Sequence, residues 1–239
     1  MTELMIALRR SPRTLLERDG HPGPGPGRLA MVMARAGVGK TAFLVGIGID
    51  ALLSGQKVLH VSLDRTVDKV RGWYDDIATE TLRREKKLEH WPALQLEPER
   101  RRHIHTYVGQ SFTADRLAAA LDLLRDTMEF VPQVIILDRM ELEGFDRDTV
   151  GALKRLAASS GAELWMACRT HREGPQGEPG HLPPPADRFE DLVDLAFRLD
   201  PHEARVRLHV LKDRQHMVDQ DLAVQLDPHT MLLTLGARH

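Results

Sequence analysis

The sequence predicts an α/β fold, a mainly parallel central sheet with helices on both faces and an antiparallel C-terminal extension. Three observations carry this expectation. From Arg28 to Cys168, short apolar runs of strand length alternate with longer stretches of helical length. A glycine-bearing turn, Ala34-Arg-Ala-Gly-Val-Gly-Lys-Thr41, joins the first of these runs to the first helical stretch. Beyond Pro185 the helical stretches stop and four strand-like runs follow with short gaps.

The elements follow in order. The head is an amphipathic segment carrying Leu4, Ile6, Leu8, Leu15 and Leu16. Asp19 to Gly27 is a Gly/Pro linker that suits neither a helix nor a central strand. Residues 1–27 are therefore set apart from a domain over 28–239. Leu29–Met33 reads as a buried strand. Thr41–Leu53 reads as a buried helix, with Gly55 as its stop. Lys57–Leu63 is a strand and Val67 to about Lys87 a helix with a charged tail. Leu88–Arg102 is irregular and His103–Val108 a strand. Ser111 or Thr113 caps a helix whose stripe is Leu117, Leu121, Leu124 and Met128. Val134–Leu137 is a strand, Thr149–Ser160 a helix ending at Gly161, and Leu164–Cys168 a strand. Glu173–Pro185 is a Gly/Pro-rich loop. The tail strands are Leu195–Leu199, Val206–Leu211, Leu222–Leu226 and Met231–Leu235.

Composition excludes several classes. At 239 residues, 42% apolar and 28% charged, the chain is long enough for a sizeable core and is neither a disordered chain nor a coiled-coil rod. No 18-residue apolar run exists, so no membrane helix is expected. The apolar patch of Met1–Arg13 precedes its arginines, the reverse of a secretory signal, and a cytoplasmic location is expected. The one cysteine, Cys168, cannot form a disulfide framework. A formal net charge of -2 exerts no general pull on nucleic acid or anionic membrane.

The chemistry concentrates in Ala34–Thr41. The run matches the phosphate-binding pattern G-x-x-x-x-G-K-[ST], with Ala34 in place of the first glycine. Gly37 and Gly39 let backbone N–H groups turn inward around phosphate oxygens, and the following helix N-terminus adds positive potential. Arg35, Ala36, Gly37, Val38, Gly39, Lys40, Thr41 and Ala42 are the expected nucleotide-binding residues. Lys40 supplies a point charge to the β- and γ-phosphates, and Thr41 offers a hydroxyl to Mg²⁺. Val134-Ile-Ile-Leu-Asp138 places a carboxylate at a strand end, where it can hold the same Mg²⁺. Many ATPases follow this Asp with a Glu that activates water, and here Arg139 follows. Asp64, ending the strand Lys57–Leu63, is then the candidate base. If that strand lies next to the loop strand, Asp64 points at the γ-phosphate; the other reading is an Asp that opens a turn or caps the Val67 helix.

Together these residues resemble the RecA-fold P-loop ATPases, nearest the DnaB-like, RadA-like and KaiC-like branch. Ala34–Phe43 is similar to the helicase phosphate loop. Val58-Leu-His-Val-Ser-Leu-Asp64 is similar to the second strand, which in that family ends in a catalytic Glu. Asp138 matches the Walker B Asp. Val210-Leu-Lys-Asp-Arg214 is similar to a Lys-x-Arg motif that reaches a neighbour's γ-phosphate. The resemblance runs from Arg28 to Leu235. It implies Mg·ATP as ligand, Asp64 as base, Lys212 and Arg214 acting in trans, and a ring or filament of identical subunits.

Departures from the family are specific. Asp64 is one methylene shorter than Glu, and a displacement near 1 Å costs about 10²-fold in rate. The sensor strand ends Cys168-Arg169-Thr170-His171, so Arg169 either contacts phosphate in cis or is a surface arginine. The loop 139–148 carries more acid than base, and 173–186 has no Lys or Arg, which ill suits single-stranded DNA. The expected function is a slow KaiC-like regulatory ATPase that gates a protein interaction, with the protein partner unidentified. The alternatives are a DNA-dependent motor or recombination accessory and a nucleotide-binding module that has lost hydrolysis. His103-x-His105 lacks a third metal ligand, and Trp73-Tyr74 suits packing better than base stacking.

Overall fold

The computed structural model describes residues 23–84, 86, 99–109, 111–170, 181–203, 205–214 and 216–235. The amphipathic head, the start of the linker, most of the charged stretch 88–102 and the loop 171–180 lie outside the described residues. The elements in chain order are β1 (Leu29–Ala34), α1 (Lys40–Leu53), β2 (Val58–Ser62), α2 (Val67–Arg84), β3 (Arg102–Thr106), α3 (Ala114–Met128), β4 (Val134–Asp138), α4 (Arg147–Ser160), β5 (Glu163–Arg169), β6 (Leu195–His202), β7 (Arg205–Asp213), β8 (His216–Leu226) and β9 (Leu233–Leu235).

The strands form one sheet in the order β3-β2-β4-β5-β1-β6-β7-β8-β9. All pairings from β3 to β6 are parallel, and those from β6 to β9 are antiparallel. The α/β class, the mainly parallel sheet and the antiparallel C-terminal part thus agree with the expectation. The condition placed on Asp64 is not met. β2 does not lie beside β1; it pairs with β3 and β4, and both β4 and β5 stand between it and the loop strand. Sequence order does not fix strand order, because each crossover helix can carry the chain past a neighbour.

A strand buried on both faces reads as a continuous apolar run, yet its side chains still alternate. In β1, Ala30, Val32 and Ala34 join the core beneath α1 and α2, while Leu29, Met31 and Met33 join the core beneath α3 and α4. The same parity runs through β4. Val134 and Ile136 face α1; Ile135 and Leu137 face the other side. Asp138 therefore falls on the α1 face. In β5, Trp165 and Ala167 share that face, which puts Arg169 there as well.

The antiparallel strands feed only one of these cores for most of their length. Val206, Leu208 and Val210 of β7, and Leu222, Val224 and Leu226 of β8, pack with α1 and α2 residues. Arg84 at the end of α2 donates to the Leu233 carbonyl of β9 at 3.1 Å, so the sheet curls around this helix layer.

Helix ends follow cap chemistry. Of the two candidate caps for α3, Thr113 is the one used: its hydroxyl accepts from the Arg116 N–H at 3.1 Å. α4 starts at Arg147, two residues before the expected Thr149, because Asp146 caps it by accepting from the Thr149 N–H at 2.8 Å. α2 ends at Arg84. Strand β3 stops at Thr106, and Val108, expected within it, is 81% exposed.

Candidate functional site

The site grows from the turn between β1 and α1. Gly37 (φ 78°) and Gly39 (φ 115°) both take left-handed backbone, where a side chain is strained. Gly39 has a second constraint: a Cβ there would collide with Leu226 of β8. The last long strand thus packs closely against the turn through the Leu226 side chain. Arg35, Ala36 and Gly37 are exposed, whereas Val38, Gly39, Lys40 and Thr41 are half-buried. Ala42 is buried, so only its backbone can face a ligand. α1 has no side-chain cap and no acidic residue in its first turn. Its first N–H groups have no intrahelical partner and point out of the helix end, a geometry that suits an anion.

Lys40 folds back over the turn. Its ammonium donates to the carbonyls of Ala34 at 2.7 Å and Arg35 at 2.8 Å. Burial lowers its pKa to about 8, helped by the charges of Arg169 and Arg139 and opposed by Asp138. The ammonium is therefore held by two neutral acceptors, and its burial is the main cost of keeping it charged.

β4 delivers the carboxylate. Asp138 is 2% exposed, and each of its oxygens has a donor. The Thr41 hydroxyl donates to Oδ2 at 2.8 Å, and the Arg139 N–H donates to Oδ1 at 2.9 Å. Burial raises the pKa of this carboxyl, and the two hydrogen bonds act against that rise. Asp138 and Thr41 meet although β5 lies between β4 and β1, because α1 crosses the sheet on the face that Asp138 occupies. A hydroxyl and a carboxylate oxygen side by side at the mouth of the turn form a hard-oxygen pair that fits Mg²⁺. Among the described residues no group of three or more His, Cys, Asp or Glu could hold a metal by itself. The pair suits an ion that arrives with its own phosphate oxygens.

Asp64 follows β2, the strand beside β4. Its carboxylate is taken: Arg139 Nε donates to Oδ2 at 2.8 Å. Arg139 adopts left-handed backbone (φ 63°), uncommon for a residue with a side chain. In the sequence Arg139 stands out only as the residue in place of a Glu, and nothing local marks this pairing. The pair depends on β2 and β4 being neighbours, which no local pattern records. Arg169 is exposed at the end of β5, in register with Ala34, and its charge is felt at Lys40.

The two residues expected to act in trans are placed differently from each other. Lys212 of β7 is 8% exposed and donates to the Glu190 carbonyl, so its ammonium is engaged within its own chain. Arg214 is exposed at the turn after β7, with φ 55°, and its N–H donates to the Asp194 carbonyl at 2.5 Å.

A buried polar pair lies behind the site. His60 Nδ1 is 3.1 Å from Tyr74 Oη, and the Arg102 guanidinium sits 4.4 Å from the centre of the Tyr74 ring. Gly48 of α1 makes room for this ring, since a Cβ there would strike Tyr74 Oη. Burial lowers the His60 pKa to about 3, so its imidazole is neutral. Tyr74 is thus a packing residue, as expected for Trp73-Tyr74. His103 stacks edge-on to Phe130 at 4.3 Å.

No protein-family model matches the chain, and no curated protein matches it. No described helix is long and apolar enough to cross a membrane.

Proposed function

We propose that this chain is a RecA-like P-loop ATPase that binds Mg·ATP in the cytoplasm and hydrolyses it slowly, as a KaiC-like regulatory switch for a protein interaction. The observation that carries the reading is the contact of Thr41 with Asp138 at the mouth of the Lys40 turn, 2.8 Å between a hydroxyl and a buried carboxylate oxygen. Strand parity, the glycine conformations and the uncapped helix end all converge on that point.

The roles follow from position. The backbone N–H groups from Gly37 to Ala42 would surround phosphate oxygens. Lys40 would exchange its two carbonyl partners for the β- and γ-phosphates. Thr41 and Asp138 would hold Mg²⁺, whose charge offsets that of the phosphates. Asp64 would orient water, and Arg169 is available to the phosphates in cis. Of the two candidates for a neighbour's finger in a ring or filament, Arg214 is carried forward because it is exposed. Lys212 is better read as a tie between β7 and the Glu190 carbonyl.

A second reading, a nucleotide-binding module without hydrolysis, is favoured by the engagement of Asp64 with Arg139. Steady-state Mg·ATP hydrolysis, with and without single-stranded DNA, tests these readings. A slow rate indifferent to DNA is expected. Strong stimulation by DNA would make the protein a nucleic-acid motor, and tight binding without turnover would favour the second reading.

A further inference from the structure

Asp64 and Arg139 form an ion pair on the rim of the site. Their side chains are 60% and 36% exposed, and exposed pairs of this kind open at little cost. The backbone of Arg139 is fixed all the same. Its N–H is bonded to Asp138 Oδ1, and its left-handed conformation persists only where the surroundings impose it. A rigid backbone next to Asp138 therefore carries a guanidinium free to choose its acceptor. Arg139 directly follows Asp138, whose other oxygen accepts from the Thr41 hydroxyl at the start of α1, so the guanidinium is anchored at the mouth of the Lys40 turn.

We infer that the Asp64–Arg139 pair is a latch opened by the terminal phosphate of a nucleoside triphosphate. Arg139 leaves a singly charged carboxylate for a more highly charged phosphoryl group, which offers its fork more oxygens. Asp64 is released in the same exchange and becomes free to accept a hydrogen bond from water. A diphosphate lacks the third phosphoryl group and leaves the latch shut. The pair would thus give the site its distinction between triphosphate and diphosphate. The inference rests on the nucleotide-binding reading above.

Calorimetric titration of Mg·ADP and of a Mg-bound, non-hydrolysable β,γ-imido ATP analogue tests it, with the wild type, Arg139→Ala, Asp64→Asn, the double variant and Lys40→Ala. Arg139→Ala should weaken the analogue about tenfold and leave ADP within about twofold. Asp64→Asn should tighten the analogue, and that gain should vanish in the Arg139→Ala background, because it comes from freeing Arg139. If Arg139→Ala does not fold, Arg139→Gln carries the same comparison. Equal effects on both nucleotides overturn the latch while leaving nucleotide binding intact. A gain from Asp64→Asn that persists without Arg139 does the same. A wild type that binds neither nucleotide, like Lys40→Ala, overturns the latch and the nucleotide reading together.

Discussion

Two carboxylates end neighbouring parallel strands, and they live in opposite surroundings. Asp138 is sealed beneath α1, with a donor on each oxygen. Asp64 stands at the rim, more than half exposed, and is held by one long side chain. A buried hydrogen-bonded carboxylate cannot lose its partners without leaving polar groups dry. An exposed ion pair exchanges its partner for water at small cost. The fold has thus fixed one carboxylate with two donors and left the other on a single exposed ion pair. Rigidity and responsiveness sit one strand apart.

The largest effect should come from breaking the sealed side. Asp138→Ala strands the Thr41 hydroxyl and the Arg139 N–H, and should cost about 2 kcal/mol of stability in urea unfolding. Nucleotide affinity in this variant should no longer depend on Mg²⁺; an undiminished response to chelator would deny Asp138 its metal role. Gly39→Ala asks how rigid the turn is. It puts a side chain at a backbone angle that side chains rarely adopt and against the Leu226 methyl, and should lose about 1–2 kcal/mol. An unchanged urea midpoint would mean that the turn yields.

A pH series sharpens the contrast with a third group. The Lys40 pKa is lowered to about 8, and phosphate beside the ammonium would raise it. The complex then holds a proton that the free protein has released, so affinity should fall as pH rises above about 8, by at most about tenfold per unit. A flat profile from pH 7 to 9 would show that the ammonium is not at the phosphate. The same lowered pKa makes the protein gain stability as pH climbs from about 8 toward the ordinary lysine value, because the unfolded chain then binds more protons. The smallest effect belongs to the rim: Arg139→Ala should change unfolding stability by less than about 1 kcal/mol. A larger loss would place Arg139 with the sealed groups.

The parts legible in the sequence are those written locally. Gly-Val-Gly-Lys-Thr announces its own backbone, and Val-Ile-Ile-Leu-Asp138 carries both a buried strand and, through strict alternation, the face its carboxylate occupies. The antiparallel tail was legible from four strand-like runs with short gaps, although β7 and β8 extend further than Val206–Leu211 and Leu222–Leu226, and β9 is shorter than Met231–Leu235. What was not legible depends on distant neighbours. The place of β2 beside β4 is set by crossovers, and with it the pairing of Asp64 with Arg139. Lys212 reads as a reaching cation, but its burial and its bond to the Glu190 carbonyl decide otherwise, and burial is a property of the assembled chain.

The contact of Leu226 with Gly39 sets an order in time. A growing chain presents its amino-terminal part first, so the glycine turn leaves the ribosome long before β8 is made. Until that late strand closes over it, the turn lacks its contact with the Leu226 side chain. An unfinished chain therefore carries the lysine and the threonine before the strand that walls in Gly39 has been made.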